Sequence, residues 1–318
     1  MEIPATERGL KKNYSTDVVV DLAEAESIRQ SLYGSDAACV GRILASLPTR
    51  LTEADLEHFR VHGYLAMNGL LSNEEIEDSK AALSDLAHRR TAWDKRVWSQ
   101  EEPYFVRGGQ EARVDDPELR LRKLAFFVDL DSRLGHVATH PRLLALIDQL
   151  IGPGGRMIQD MALLKPPFRG SEKPWHQDAA YFDWTPLGSV VGTWIALDEA
   201  TIDNGCMQVI PGTHLQGPVP HFHVRDCQLA DQRVQVRQAV TIPLRPGGIL
   251  FFSALLHHGT PPNMSAARRR ALQFHYAGAD CRHMTIEQHG ELFSEGGAYA
   301  GCRDWDLAAG MSRAVLTP

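Results

Sequence analysis

In Trp175-His176-Gln177-Asp178 an imidazole and a carboxylate stand two residues apart. In extended backbone the side chains of residues i and i+2 share a face, so both groups can converge on one point. A second imidazole from a later strand would complete a set of three metal ligands. The segment Leu256-His257-His258-Gly259, which follows the apolar run GILFFSA, supplies one. Two histidines and a carboxylate that leave three adjacent positions open form the facial triad of non-haem iron(II) sites. A lone His-x-Asp pair is a common chance pattern, and its weight here comes from order and context. Arg269 stands eleven residues beyond His258, on the next expected strand. A guanidinium there can hold a carboxylate through two parallel charge-assisted bonds. Strand alternation turns Arg269 to the opposite side from Arg268 and Arg270.

The segments around these residues change from helical to β character along the chain. Residues 1–50 read as a peripheral helical extension, because DLAEAESIRQSLYG and ACVGRILASL carry apolar positions at three-to-four spacing up to Pro48. Thr52 with Asp55 and Ser72 with Glu75 look like capping boxes that open two helices. Gly63 closes the first, Tyr64-Leu65-Ala66 follows as a short strand, and the second helix runs to about His88. Pro141 and Gly152 bracket a further helix. From about residue 155, runs such as MIQDMALL, VVGTWIAL, CMQVI, VQVRQAVTI and ALQFHYA are separated by turn-rich KPPFRGSEKP, DNG and PGTHLQGP. Many short strands with Gly/Pro punctuation predict a β sandwich or barrel. The expected fold class is mainly β with flanking α-helices, a single domain over 51–318 with its β-core over about 155–280.

A formal net charge of −7 argues against nucleic acid or an anionic membrane surface as the main partner. No apolar run approaches the ~20 residues that span a bilayer. The start, MEIPATERGLKKNYSTD, lacks a secretory apolar stretch, and AVLTP at the end is no peroxisomal or reticular address. The expected compartment is therefore the cytoplasm. Cys39, Cys206, Cys227, Cys281 and Cys302 are odd in number and scattered, which argues against both a disulfide framework and a cysteine zinc site.

The stretch from Lys165 to Tyr276 resembles the phytanoyl-CoA dioxygenase family. The matching pieces, in order and at the family's spacing, are KPP, WHQDAAYF, TWIALDEATIDNGCMQVIPGTH, LLHHGTPPN and RRALQFHY. The resemblance implies a double-stranded β-helix, or jelly roll, packed against the N-terminal helices. It implies iron(II) held by His176, Asp178 and His258, with His257 facing the other way. The implied co-substrate is 2-oxoglutarate, its distal carboxylate on Arg269 and its site lined by Trp194, Thr260, Met161 and Lys123. Dioxygen would be the oxidant, and release of succinate and CO2 would accompany hydroxylation of a small or medium-sized organic molecule. Desaturation, epimerisation, endoperoxide formation and hydroxylation of an acyl-CoA use the same cofactor chemistry and stay open. Halogenation is disfavoured, since it needs the position of Asp178 taken by a small residue. A metal-binding jelly-roll protein without turnover would lack an intact triad or the arginine.

Gln177, between the ligands, is expected to face the substrate, together with Trp175, Phe182 and Gln159. Segments 91–116, 166–174, 179–188 and 214–235 should cover the pocket. Their cations are interspersed with carboxylates, so they offer no net basic patch for the phosphates of a coenzyme A thioester. His214, His221 and His223 read as turn, packing or loop residues, and His275 as a satisfied core or supporting histidine.

Overall fold

The computed structural model describes residues 22–33, 39–93, 96–107 and 114–295. Among the helices are α1 (Leu22–Leu32), α2 (Glu53–His62), α3 (Asn73–Ala87), α4 (Ser132–Ala138) and α5 (Pro141–Ile151). Reciprocal capping boxes open α2, between Thr52 and Asp55, and α3, between Ser72 and Glu75. Gly63 ends α2 in the left-handed region at φ 77°, which glycine adopts without a Cβ clash. No helix of the described residues is long and apolar enough to cross a membrane.

Two sheets carry the fold. The larger has eight strands, in the order β1 (Ile43–Leu44), β2 (Tyr64–Met67), β13 (Ile249–Ser253), β8 (Val190–Ala196), β15 (Arg269–Ala277), β5 (Arg156–Lys165), β4 (Leu121–Ala125) and β3 (Trp98–Glu101). The smaller runs β12 (Val240–Ile242), β9 (Met207–Val209), β14 (His258–Thr260) and β6 (Lys173–His176). Two short ribbons pair β10 (Phe222–His223) with β11 (Cys227–Gln228), and β16 (Arg282–His283) with β7 (Trp184–Thr185).

Period-two alternation sorts the side chains of the larger sheet. Leu65, Ile195, Ile249, Phe251, Leu272 and Phe274 face the helices and pack with Ile76, Leu83, Leu143 and Leu146. Their neighbours Tyr64, Trp194, Leu250, Phe252 and Ala271 face the smaller sheet and meet Met207, Val209 and Ile242. Burying a Leu or Phe side chain fully is worth roughly 1.5–3 kcal/mol, so these two layers hold the sandwich together. Helices outside one of two facing, mainly antiparallel sheets make this the expected jelly roll.

Two expectations are corrected. The helix expected in ACVGRILASL is absent: Ile43–Leu44 pairs parallel with Ala66–Met67, and the Gly41 N–H donates to Thr241 O at 2.9 Å. A Cβ at Gly41 would lie 2.5 Å from Ile242 Cδ1 and 2.8 Å from Tyr64 Oη, so a larger residue there would have to displace these side-chain ends. Sheet edges claim this backbone, and tertiary pairing overrides the local helical periodicity. Cys227 is disulfide-bonded, contrary to the expectation for the cysteines, while Cys39, Cys206 and Cys281 are free thiols.

Candidate metal centre

The triad is assembled by strand pairing between β6 and β14. His258 lies directly opposite His176 in the register, and a β-bulge follows before Thr260. Opposed residues of antiparallel strands have Cβ atoms about 5 Å apart, which brings the two rings together at 4.2 Å between centroids. Gln177 keeps extended backbone at φ −111°, ψ 130°, after which the chain enters a 3₁₀ turn over Asp178–Tyr181. Asp178 therefore returns to the face of His176.

His176 Nε2 lies 3.1 Å from Asp178 Oδ1, and His258 Nε2 lies 3.5 Å from Asp178 Oδ2. One ligand atom from each of the three residues falls within 4.8 Å of the others. Metal–ligand bonds of about 2.1 Å at right angles would set neighbouring donors about 3 Å apart, close to what is seen. Each imidazole is oriented from behind: His176 Nδ1 donates to Pro174 O at 2.8 Å, and His258 Nδ1 to Leu256 O at 2.9 Å. That tautomer leaves both Nε2 lone pairs aimed at the metal position. Burial pushes His176 down to about 3, helped by the neighbouring His258. Burial acts to raise Asp178, but His258 and His275 outweigh it and hold the carboxyl well below its usual range. At neutral pH the site thus offers an unprotonated His176 ring and a carboxylate, the forms that bind a metal.

Asp178 is held from the opposite sheet. His275 Nε2 lies 2.8 Å from Asp178 Oδ2, and Gln273 Nε2 donates to the same oxygen at 3.2 Å. Arg269, Gln273 and His275 all sit on β15 at even spacing, so one strand face carries the supports and the arginine. Arg269 and a supporting His275 are legible in the sequence, whereas Gln273 was not expected there, although the same alternation puts it on their face.

Arg269 fits a dicarboxylate co-substrate. Its side chain is 1% exposed, stacks over the Trp194 ring at 5.3 Å, and donates from Nη1 to Leu163 O at 3.2 Å. Among the described residues its buried Nε has no partner and no carboxylate pairs with it. Burial lowers it to about 10, so it remains charged at neutral pH. A desolvated guanidinium without a counter-ion is costly unless an anion arrives. The adjacent Lys165 is spent otherwise, donating to Pro261 O at 2.7 Å and Ser171 O at 2.5 Å.

A cavity joins these groups, lined by His176, Asp178, His258 and Arg269. The structure places Met161, Lys123, Thr260, Gln159 and Phe182 on its wall as well. Trp194 is not on the wall but lies beneath Arg269. Gln177 and Trp175 do not face the cavity, for the reason that selects the ligands: on a strand, the neighbours of an inward residue point outward. Gln177 donates from its amide to Gly217 O and Leu255 O and accepts from the Val219 N–H. Trp175 stacks on Tyr33 at 5.7 Å and donates from Nε1 to Leu32 O at 2.7 Å. His257 presents no ligand atom to the triad and has a buried, unpartnered Nε2. His214 braces α2, its Nε2 donating to Arg60 O at 3.0 Å.

A jelly roll that holds two imidazoles and a carboxylate beside a buried, unpaired arginine defines an iron(II)- and 2-oxoglutarate-dependent oxygenase. The model of the family Phytanoyl-CoA dioxygenase (PhyH) matches residues 59–271, and the chain belongs to that family. It is 29% identical over 260 residues to the phytanoyl-CoA dioxygenase domain-containing protein 1 of Danio rerio, covering 71% of this chain and 89% of that one. To the peroxisomal phytanoyl-CoA dioxygenase of Bos taurus it is 33% identical over 174 residues, covering 49% of this chain and 50% of that one. Among solved structures, the non-heme alpha-ketoglutarate-dependent carbocyclase SnoK superimposes with a TM-score of 0.58 at 21% identity, over 78% of this chain and 92% of that one. The alpha-ketoglutarate-dependent epimerase SnoN gives 0.55 at 23% identity, over 74% and 87%. Both likenesses concern the fold.

Proposed function

We propose that this chain hydroxylates an unactivated C–H bond of a free, small or medium-sized organic molecule, converting 2-oxoglutarate to succinate and CO2. The observation that carries the reading is a single cavity lined by both the triad and the unpaired Arg269. Iron(II) with 2-oxoglutarate and dioxygen supplies the oxidising power when bound. The chain supplies position. His176, Asp178 and His258 would hold the iron, and His275 with Gln273 keeps the carboxylate turned toward the two rings. Arg269, on the wall of the same cavity, would anchor the distal carboxylate of the co-substrate. Phe182, Met161 and Leu163 give the cavity apolar wall, which keeps water from the reacting carbon.

The free-molecule reading is supported by how the cations of the covering segments are used. Arg225 is paired with Glu172 and Asp231, Arg233 with Glu295, and Arg169 lies over the Tyr104 ring at 4.0 Å. Little is left there for a coenzyme A phosphate. The test is succinate release and product mass with matched free acids, ring-containing metabolites and acyl-CoA thioesters. A one-oxygen mass gain on a free molecule is expected, and efficient turnover of thioesters alone would contradict the reading.

A further inference from the structure

Tyr33 follows α1 directly, and its N–H donates to Arg29 O at 3.2 Å, so the helical turn carries through it. It lies ahead of residues 59–271, the stretch matched by the family model, yet its side chain is 2% exposed. The ring stacks on Trp175 at 5.7 Å with 19° between the planes. It also reaches the neighbouring strand. A Cβ at Gly259 would lie 3.3 Å from Tyr33 Cε1, with Lys173 O at 3.1 Å and the Trp175 backbone N at 3.3 Å. Trp175 precedes His176 and Gly259 follows His258, so one side chain backs both strands that carry the metal imidazoles. It does so where the register between β6 and β14 shifts. A bulge disrupts the ladder locally, so packing from behind carries more of the spacing between the two strands.

Hydrogen bonds fasten the same place. Tyr33 Oη donates to Glu172 Oε2 at 2.7 Å and lies 3.1 Å from Lys173 O. The other oxygen of Glu172 accepts from Arg225 Nε at 2.5 Å. Trp175 Nε1 donates to Leu32 O, one of the last carbonyls of α1, which have no partner within the helix. These bonds fix residues 172–175, and the His176 ring is oriented from that segment through Nδ1 and Pro174 O. We infer that Tyr33 is a positioning residue for the metal centre, acting through Trp175 and Gly259 to hold the β6–β14 pair where His176 and His258 share one ion. The inference rests on the metal-centre reading above and extends that centre to a helix outside the family match. Metal sites tolerate ligand distances within only about 0.2 Å, so a small shift of either strand is felt as lost affinity.

The experiment uses the full chain and measures the Mn(II) dissociation constant, the melting temperature and the visible spectrum of the Co(II)-loaded protein. Tyr33→Ala is expected to weaken Mn(II) at least about tenfold, the lower end of what partners behind a ligand contribute, and to shift the Co(II) ligand-field bands. Tyr33→Leu keeps apolar bulk without the ring, folds more readily, and should show the same two changes. Tyr33→Phe keeps the ring against Trp175 and Gly259 and should recover most of the affinity. Ile28, on the same helix, packs against the same cluster and is the control for apolar cover alone. Ile28→Ala should lower the melting temperature and leave the Mn(II) constant and the spectrum unchanged. The proposal is overturned if Tyr33→Leu leaves both unchanged, if Tyr33→Phe binds Mn(II) no better than Tyr33→Leu, or if Ile28→Ala weakens Mn(II) equally. Failure of the wild type to bind Mn(II) any better than His258→Ala would be distinct, removing the metal centre itself and this inference with it.

Discussion

His257 and His258 are adjacent in sequence and opposite in consequence. The backbone N–H of His257 donates to Thr213 Oγ1 at 3.0 Å, while the His258 ring closes the triad. His258→Ala should therefore abolish the stabilisation that a bound divalent metal gives, about 2.7 kcal/mol at a hundredfold excess over the dissociation constant, whereas His257→Ala should keep it. Melting with and without Mn(II) checks this, and a metal-insensitive His257→Ala would transfer the ligand role. His275→Phe removes the ring that holds Asp178 from behind; a 10–100-fold loss of metal affinity is expected, roughly what such supporting partners contribute. Arg269→Ala should raise the apparent 2-oxoglutarate constant about a hundredfold or more, the effect of losing a desolvated charge partner worth roughly 2–5 kcal/mol. Metal affinity should change far less. Equal losses of both would mean the substitution damages the fold and not the co-substrate clamp.

At the scale of elements, local signals that bind their own backbone were legible and long-range ones were not. Thr52, Ser72, Gly63 and Pro141 announce helix ends because caps are contacts between near neighbours. The strand edge at Ile43–Leu44 is invisible in the same way, since its partners lie at Ala66 and Met67. The N-terminal extension likewise reads as peripheral, yet Tyr33 at the end of α1 packs under Trp175, next to a metal ligand on β6. Alternation made His176, Asp178 and Arg269 readable, and applied to Gln177 and Trp175 it would have turned both outward. Trp175→Phe should keep the stacking, lose the bond to Leu32 O, and destabilise the fold by about 1 kcal/mol, measured by denaturant unfolding. An unchanged midpoint would show that α1 is not fastened there.

For the whole molecule, charge placement sets how stability follows pH. Burial pushes Asp160 up to about 6, against the pull of the Phe127 and Val128 N–H groups that donate to its Oδ2 at 2.7 and 3.0 Å. A carboxyl raised in the folded state stabilises the fold below its unfolded value near 3.8, and that contribution is lost as pH rises through about 6. Asp160→Asn keeps an acceptor without the ionisation. Unfolding at pH 4 and pH 7 should show the wild type losing on the order of 2–3 kcal/mol relative to that variant. A constant difference would place the charge of Asp160 in water. The cavity's charges were the least legible feature, because Arg122, Lys123, Lys173 and Asp226 come from β4, β6 and the β10–β11 ribbon and meet only in the folded chain.

The central claim is that one metal and one 2-oxoglutarate bind in series on His176, Asp178, His258 and Arg269. Anaerobic calorimetry with Fe(II) followed by 2-oxoglutarate tests it most directly. The wild type should take up one iron per chain and then one 2-oxoglutarate; Asp178→Ala should take up neither tightly, and Arg269→Ala should take up iron alone. Tight binding of 2-oxoglutarate by Asp178→Ala, or of neither ligand by the wild type, would contradict the assignment.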